Sequence, residues 1–413
     1  MGLDLGRLRT QLNRSFASFK YRNYRLWFIG QLASLVGTWM QSTAQGFLIF
    51  QLTHSVAYLG LVGFAGGLPT WLFTLYGGVV SDRMPRRTLL ILTQTAMMIL
   101  AFILAALAFA GVVQPWHIVV LAFLLGIANA FDAPARMAFV LELVDRPDMT
   151  NAIALNATMF NAATAVGPAI AGITYALLGP AWCFTINGLS FIAVIVGLAL
   201  MHITLAPQPR RTVSPLTDIK EGLNYVLAHP VIRIIILFVA VASTLGIGFS
   251  ALLPAWAVSV LNGDATTNGF LQSARGVGSL IGALMVASLG RFRYKGKALT
   301  VGSFLFPVMM FIFAWLHWVP LSLLALMGVG LGFMVALNLA NALVQTHVSD
   351  ELRGRVMAVY SLAFQGMMPI GALLAGGLAA VTTAPIAVAV SALAMLAFAG
   401  WLWLRAPEVR RLE

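Results

Sequence analysis

Twelve long stretches of predominantly apolar residues, separated by short polar connections, dominate this sequence. A helix needs roughly 20 apolar residues to cross the hydrocarbon core of a bilayer, and each stretch approaches or exceeds that length. The predicted spans cover approximately 24–51, 58–81, 88–111, 117–141, 151–178, 181–202, 231–261, 267–290, 298–316, 319–346, 353–380 and 384–405. Because the first stretch is too long for a signal peptide and lacks a small-residue cleavage site, we expect it to remain as a helix.

Composition excludes the main alternatives to a helical membrane protein. The chain is 60% hydrophobic and only 9% charged, whereas a soluble domain is about a quarter charged. Its one cysteine, Cys183, rules out a disulfide-stapled fold, and a membrane barrel would show short alternating segments. We therefore expect an all-α polytopic membrane protein.

The net charge of +12 follows topology rather than a nucleic-acid partner. Arg136 and Arg275 lie inside spans. The other lysine and arginine residues occur at both termini and in or beside the connections that follow even-numbered spans. Such connections face the cytoplasm under the positive-inside rule. The pattern predicts a multi-pass protein of the cell (inner) membrane with both termini cytoplasmic, whose partners are the lipid bilayer and a small molecule, with no nucleic acid.

A long polar stretch between the sixth and seventh spans divides the chain into two halves. The predicted units are a cytoplasmic N-terminal segment 1–23, a six-helix bundle 24–202, a cytoplasmic linker 203–230 with a short surface helix, a second six-helix bundle 231–405 and a tail 406–413. Phe16, Phe19 and Tyr21, set among basic residues, indicate an amphipathic N-terminal segment on the inner membrane surface.

Glycines recur at matching places in the two halves. A shift of 209 residues places Gly60 on Gly269 and Gly67 on Gly276, and a shift of 204 places Gly167 on Gly371 and Gly172 on Gly376. Parallel six-helix repeats around a central cavity are a plan of secondary transporters.

The connection between the second and third spans carries the sequence GGVVSDRMPRR, residues 77–87. Gly78 would allow two helices to approach closely, and Asp82 could lie against the positive N-terminal end of a neighbouring helix. Arg83, Arg86 and Arg87 could pair with acids at other inner helix ends. The alternative is that these arginines only mark the cytoplasmic side.

Asp132 and Arg136 stand four residues apart near the predicted inner end of the fourth span, on one helix face. Ionisable side chains inside a membrane usually face a cavity or a partner. The pair could be an ion pair within its helix, or Asp132 could bind the arginines of residues 77–87, and the two are compatible.

A polar stripe runs along the first span over roughly 20 Å. Its steps of three and four residues put the side chains on one face, which suits a wet cavity wall or, alternatively, hydrogen bonds between helices. The stripe comprises Gln31, Ser34, Thr38, Gln41 and Gln45. Further cavity candidates are Asn161, Gln272, Asn338, Asn341, Gln345 and Gln365.

Arg275 lies inside the eighth span, roughly 12 Å from its predicted outer end. No acid lies at a matching depth in the spans, so the side chain should face water, a carbonyl group or an anionic ligand. The alternative is an arginine that extends toward the interface or binds helix carbonyls.

The chain resembles the exporter branch of the major facilitator superfamily, which includes the bacterial enterobactin exporter and macrolide efflux proteins. Residues 77–87 resemble the superfamily signature Gly-x-x-x-Asp-Arg-x-Gly-Arg-Arg/Lys, with Pro85 in place of the second glycine. Gly167 and Pro168 resemble the exporter signature in the fifth span, and Pro168 should kink that helix, although ordinary packing could explain the pair. Further carriers are residues 51–55, 129–136, 151–156 and 350–355.

The resemblance implies two pseudo-repeated six-helix bundles of the major facilitator fold and transport by alternating access. It also implies that Gly78, Asp82, Arg83, Arg86 and Arg87, together with Asp132 and Arg136, form a cytoplasmic latch that closes when the protein is open outward. Some relatives carry an acid near position 38, where this chain has Thr38. Its absence counts against simple carboxylate-driven proton coupling.

We expect a secondary active transporter that exports an amphipathic, neutral or anionic, siderophore-like or drug-like molecule. The sequence has no catalytic constellation, metal spacing or Walker loop, so we expect no enzyme activity, cofactor or metal. Protons are a candidate coupling ion, with Asp132 as the only acid within a span, and we expect a functional monomer. The alternatives are uptake or facilitated diffusion by the same fold, and a non-transporting membrane receptor or assembly factor.

Overall fold

The computed structural model describes residues 16–202, 215–289 and 294–410, and every regular element in them is helical. Residues 1–15 of the expected N-terminal segment, residues 203–214 of the linker, residues 290–293 and the last three residues lie outside the described residues. The first six helices are α1 (Arg22–Thr53), α2 (Val56–Arg83), α3 (Arg86–Phe109), α4 (Pro115–Glu142), α5 (Met149–Leu178) and α6 (Pro180–Ala199). The remaining helices are α7 (Pro215–Ala228), α8 (Pro230–Gly246), α9 (Leu253–Ser259), α10 (Ala265–Leu289), α11 (Lys295–Phe313), α12 (Val319–His347), α13 (Asp350–Gln365), α14 (Met367–Val381), α15 (Ala384–Arg405) and α16 (Pro407–Arg410).

Eleven helical segments of the described chain are long and apolar enough to cross a membrane. The remaining predicted span, which is the first along the chain, corresponds to α1, whose 32 residues are enough to cross a membrane. Its glutamine, serine and threonine residues keep its hydropathy below that of the other segments. The fold is the predicted all-α arrangement of two six-helix bundles, with α7 as the short helix between them.

Two predicted spans are interrupted. The seventh consists of α8, a 3-10 turn over Gly248–Leu252 and α9, and the eleventh is divided into α13 and α14 at Gly366. Gly248 lies against the backbone of Gly371 in α14, and Gly366 lies against the ring of Trp71 in α2. Glycine permits both contacts because any Cβ atom would collide with the neighbouring helix. The hydropathy pattern does not reveal such breaks.

The glycines that match between the halves make equivalent contacts. A Cβ atom on Gly376 would lie 2.8 Å from the Cα atom of Gly60, and one on Gly269 would lie 2.9 Å from the Cα atom of Gly172. These contacts join α2 to α14 and α5 to α10, and each crosses from one half to the other. The two shifts in the sequence relate one contact to the other, so the halves meet along two pseudo-symmetric seams.

The connections at residues 83–86, 142–149 and 347–350 lie at one end of the molecule, which we call the basic end. A 3-10 helix, Ala17–Lys20, docks there, where the Ser18 hydroxyl donates to Oδ1 of Asn151 at 2.8 Å. The Lys20 ammonium lies 2.6 Å from a carboxylate oxygen of Asp148, and this hydrogen-bonded contact raises the pKa of Lys20. The first described residues therefore bind to the start of α5.

Candidate functional site

The polar stripe of α1 is covered by the first half of the protein. Gln31, Ser34, Gln41 and Gln45 are buried, and Thr38 is half-buried. The Asn187 amide on α6 donates to Oε1 of Gln41 at 2.7 Å, and the Gln45 amide donates to the carbonyl of Ile118 on α4 at 3.4 Å. Gln41 and Gln45 therefore form hydrogen bonds between helices, as the alternative to a cavity wall predicted. Their place in a substrate cavity stays a prediction.

Gln31 differs from the rest of the stripe. Its amide nitrogen and oxygen are both buried, and neither has a hydrogen-bond partner among the described residues. An unpartnered buried amide is costly by about 1–3 kcal/mol. The same stripe therefore contains both satisfied and unsatisfied groups, and sequence spacing does not distinguish them.

The cavity candidates on α5, α12 and α13 differ in exposure. The Asn161 amide donates to the carbonyl of Ala157 in its own helix at 2.9 Å. Gln345 is exposed and donates to Oδ1 of Asn341 at 2.5 Å, which brings these two residues of α12 together. Asn338 is half-buried and Gln365 is exposed.

A hydrogen-bonded chain of side chains crosses between the halves. The Thr43 hydroxyl on α1 donates to Oε1 of Gln272 on α10 at 3.3 Å, and the Gln272 amide donates to Oδ1 of Asn268 at 3.2 Å. Thr43 and Asn268 are buried, and the Asn268 amide nitrogen has no partner among the described residues. The sequence pattern indicated Gln272 but neither Thr43, which lies off the α1 stripe, nor Asn268. The four-residue spacing between Asn268 and Gln272 is the signal that could have indicated Asn268.

Arg275 stands beside the seam between α5 and α10. Its neighbour Gly276 lies against the backbone of Thr164, and Arg275 itself is half-buried ten residues after the start of α10, roughly 15 Å along the helix. Its Nε atom is buried, and no described residue accepts a hydrogen bond from it. No ion pair with Arg275 occurs in the described part of the chain. The guanidinium group therefore remains available for another partner.

Asp132 is completely buried inside the first half. Thr93 and Gln94 on α3 each donate to its Oδ1 atom at 2.9 Å, and the Arg136 guanidinium lies 3.7 Å from Oδ2. The ion pair within α4 is thus present and the alternative with the arginines of residues 77–87 is not. α4 ends at Glu142, one residue past the predicted end of its span, so Asp132 lies roughly 15 Å from the end of the helix.

The motif at residues 77–87 makes contacts within the first half. Arg86 forms an ion pair with Glu142 at 2.5 Å and lies 3.9 Å from Asp82. The Arg87 guanidinium donates to the carbonyl of Ala199 on α6 at 2.9 Å, and Arg83 is exposed. These contacts join helices of the first half to one another, and the latch between the halves stays a prediction.

The close helix contact of this motif belongs to Gly77 and not to Gly78. The backbone of Gly77 lies against the carbonyl of Ala130 on α4, whereas nothing would contact a Cβ atom on Gly78 within 4 Å. The expectation for Gly78 was therefore wrong in this conformation. Adjacent residues on a helix point about 100° apart, so one glycine faces α4 and the next faces open space.

Gly167 and Pro168 are buried in α5, which remains one helix from Met149 to Leu178. A Cβ atom on Gly167 would lie 2.9 Å from the carbonyl oxygen of Val36, and one on Gly269 would collide with the Pro168 carbonyl. This pair therefore holds α5 against both α1 and α10. The kink itself stays a prediction.

Among the described residues, no group of histidine, cysteine and acidic side chains could hold a metal ion.

A family model described as "Transmembrane secretion effector" matches residues 13–411, almost the whole chain. The chain belongs to this family, within the major facilitator superfamily. Its membership confirms the resemblance found in the motifs.

Three curated relatives lie between 24% and 28% identity. The "Staphyloferrin A transporter" of Staphylococcus aureus is 24% identical, over 85% of this chain and 88% of that protein. The "Multidrug efflux pump Tap" of Mycolicibacterium fortuitum is 28% identical, over 84% and 87%. The "Enterobactin exporter EntS" of Shigella boydii is 27% identical, over 94% and 92%.

A solved structure supports the fold. The nucleoside transporter NupG superposes with a TM-score of 0.71 at 14% identity, over 92% of this chain and 98% of that one. At this identity the likeness concerns the fold alone. The chain is therefore a multi-pass membrane protein with the architecture of a transporter.

Thiol labelling should separate the covered candidates from the accessible ones. In a background in which the buried Cys183 is replaced by alanine, we expect Gln345→Cys and Gln365→Cys to react with a membrane-impermeant maleimide in inside-out vesicles. Gln31→Cys and Gln41→Cys should react slowly because both positions are buried. Labelling after denaturation is the control for expression. Equal native rates at all four positions would contradict the burial described here.

Proposed function

We propose that this protein is a secondary active exporter of the inner membrane that works by alternating access. The observation that carries the proposal is the pair of pseudo-symmetric seams, α2 with α14 and α5 with α10. Halves that meet through backbone-to-backbone contacts at glycine can separate at one end while they close at the other, since few side chains must repack. Membership of a secretion family supports the outward direction.

The closed seams favour a state that opens toward the basic end. Gly60 and Gly376 lie near the end of the molecule opposite the basic end, as do Gly172 and Gly269, and the Thr43–Gln272 hydrogen bond lies on the same side. In the described residues, no ion pair at the basic end joins one six-helix bundle to the other: Arg86–Glu142 lies within the first bundle, and Arg355–Asp218 joins the second bundle to α7. With the basic end in the cytoplasm, as the positive-inside pattern predicts, this is an inward-facing state that can load substrate from the cytoplasm.

We propose an amphipathic substrate that is neutral or anionic. The two span arginines differ, because Arg136 has Asp132 as a partner and Arg275 has no carboxylate partner in the described chain. Arginine remains protonated at accessible pH, so a cavity that includes Arg275 keeps a positive charge. Two of the relatives are named for siderophores and one for multiple drugs, and these names agree with a small organic substrate.

Substitutions at Arg275 test both transport and charge preference. Uptake of an anionic siderophore into energised inside-out vesicles should fall in the order arginine, lysine, glutamine, because lysine keeps the charge and loses the bidentate geometry. A lost charge-assisted contact of about 1.5–3 kcal/mol corresponds to an affinity roughly 10–150-fold lower for Arg275→Gln. Arg146→Gln, at an exposed arginine between α4 and α5, is the matched control.

The same vesicles decide between the alternatives. Accumulation in inside-out vesicles supports export, whereas accumulation only in right-side-out vesicles would support uptake. A receptor or assembly factor would accumulate no compound from a panel of siderophores and drugs in either orientation. Equal affinities across the Arg275 series would mean that this side chain only holds helices together.

We propose protons as the coupling ion, with Asp132 as the proton site. The carboxylate is fully buried in mid-helix, and its Oδ2 atom has no hydrogen-bond partner among the described residues. Protonation would remove its charge, weaken the contact with Arg136 and leave the hydrogen bonds from Thr93 and Gln94 in place. Such a change acts where α3 and α4 meet. α3 begins inside the 77–87 motif, at Arg86, and α4 contacts Gly77 of that motif through Ala130.

We expect Asp132→Asn to abolish transport driven by a pH gradient while substrate exchange continues. Asparagine fills the same space but cannot gain or lose a proton. Asp350→Asn, at an exposed acid of α13, should leave both activities unchanged. Gradient-driven transport that survives in Asp132→Asn would place the coupling in another group or in the ionisation of the substrate.

A further inference from the structure

An apolar groove runs along the outer face of the second half, away from the seams. It is lined by Thr300, Val301, Phe304, Leu305 and Val308 of α11 and by Trp403 of α15. Almost all of the exposed area of the groove is apolar, and the Thr300 hydroxyl is occupied by the carbonyl of Gly296 in its own helix. In a membrane protein such a surface faces lipid tails.

Two basic side chains lie at the end of this groove that is nearest to the start of α11. Lys297 is exposed one turn below Val301, with its ammonium 4.7 Å from the centroid of the Tyr294 ring. The Arg410 guanidinium lies 4.6 Å from the centroid of the Trp403 ring, which itself lines the groove. The cations are therefore placed beside the groove by aromatic rings.

A close backbone contact fixes this arrangement. Gly296 lies against the carbonyl of Val409, so the short helix α16 is held at the start of α11, and the backbone of Arg410 lies beside the residue that precedes Lys297. Any side chain at position 296 would separate them. The buried Nε atom of Arg410 has no hydrogen-bond partner among the described residues.

These cations lack acidic partners. In the described part of the chain no carboxylate forms an ion pair with Lys297, Arg405 or Arg410, although the exposed Glu408 is close in sequence. Elsewhere at this end Arg355 pairs with Asp218 and Glu221, and Arg86 pairs with Glu142. A cluster of like charges is stabilised by an anion, and the groove above it selects an anion that carries an apolar tail.

We propose that an anionic phospholipid binds at this site. Its phosphate lies between Lys297 and Arg410, and one acyl chain lies along α11 from Thr300 to Val308. From Lys297 to Val308 the helix rises roughly 16 Å, which matches the hydrocarbon thickness of one leaflet, about 15 Å. Basic pockets between spanning helices are known to hold such head groups.

Native mass spectrometry of the purified full chain tests the proposal, with phosphatidylglycerol and phosphatidylcholine supplied at equal concentration. We expect phosphatidylglycerol to be retained in preference, and the Lys297→Gln/Arg410→Gln variant to retain about tenfold less of it, with phosphatidylcholine unchanged. Lys220→Gln, at an exposed lysine of α7, should behave as the parent protein. If the double variant is unstable, the single variant Lys297→Gln replaces it in the comparison of lipid retention.

A second variant tests the groove itself. Val301→Trp fills the groove without changing charge and should lower retention of phosphatidylglycerol, whereas Val390→Trp, at an exposed position of α15 outside the groove, should not. The proposal is overturned if both lipids bind equally to the parent protein. It is also overturned if Lys220→Gln weakens binding as much as the site variants, or if Val301→Trp has no effect.

Discussion

Close backbone contact between the two halves is the constraint on which the rest of this structure depends. In a bilayer, helices gain nothing from burying apolar surface against each other, so packing at short distance must hold them together. Gly60 with Gly376 and Gly172 with Gly269 provide that distance at two equivalent places. At these glycines the backbones meet without interlocking side chains, which favours one end opening while the other closes.

The polar groups of the membrane interior follow from this arrangement. Within the first half, Asn187 with Gln41 and Thr93 with Asp132 bind helices to one another, and such bonds stabilise a bundle that moves as a unit. Between the halves, the Thr43–Gln272 bond is a single neutral contact that can break at small cost. Arg275 stands beside that boundary and has no acidic partner among the described residues, which is what the proposed contact with an anionic substrate requires.

Hydropathy and charge predicted the helices and the two-half fold, because membrane insertion depends on segment averages. They could not predict the breaks at Gly248 and Gly366, which depend on contacts with Gly371 and Trp71 far away in the sequence. The α1 stripe was visible as spacing, but spacing does not identify the neighbouring helix, and Gln41 meets α6. Likewise, Gly77 and Gly78 are equivalent in sequence, and only the position of α4 distinguishes them.

Distances between spin labels at both ends test alternating access most directly. One pair, Val112 and Trp318, reports on the end that is closed here, and the other, Leu200 and Glu351, reports on the basic end. Gly376→Val should wedge α2 from α14, lengthening the first distance and shortening the second, while the adjacent Gly377→Val, which faces open space, should change neither. If Gly376→Val lengthened the first distance and left the second unchanged, the two ends would be independent and the proposed mechanism would be contradicted.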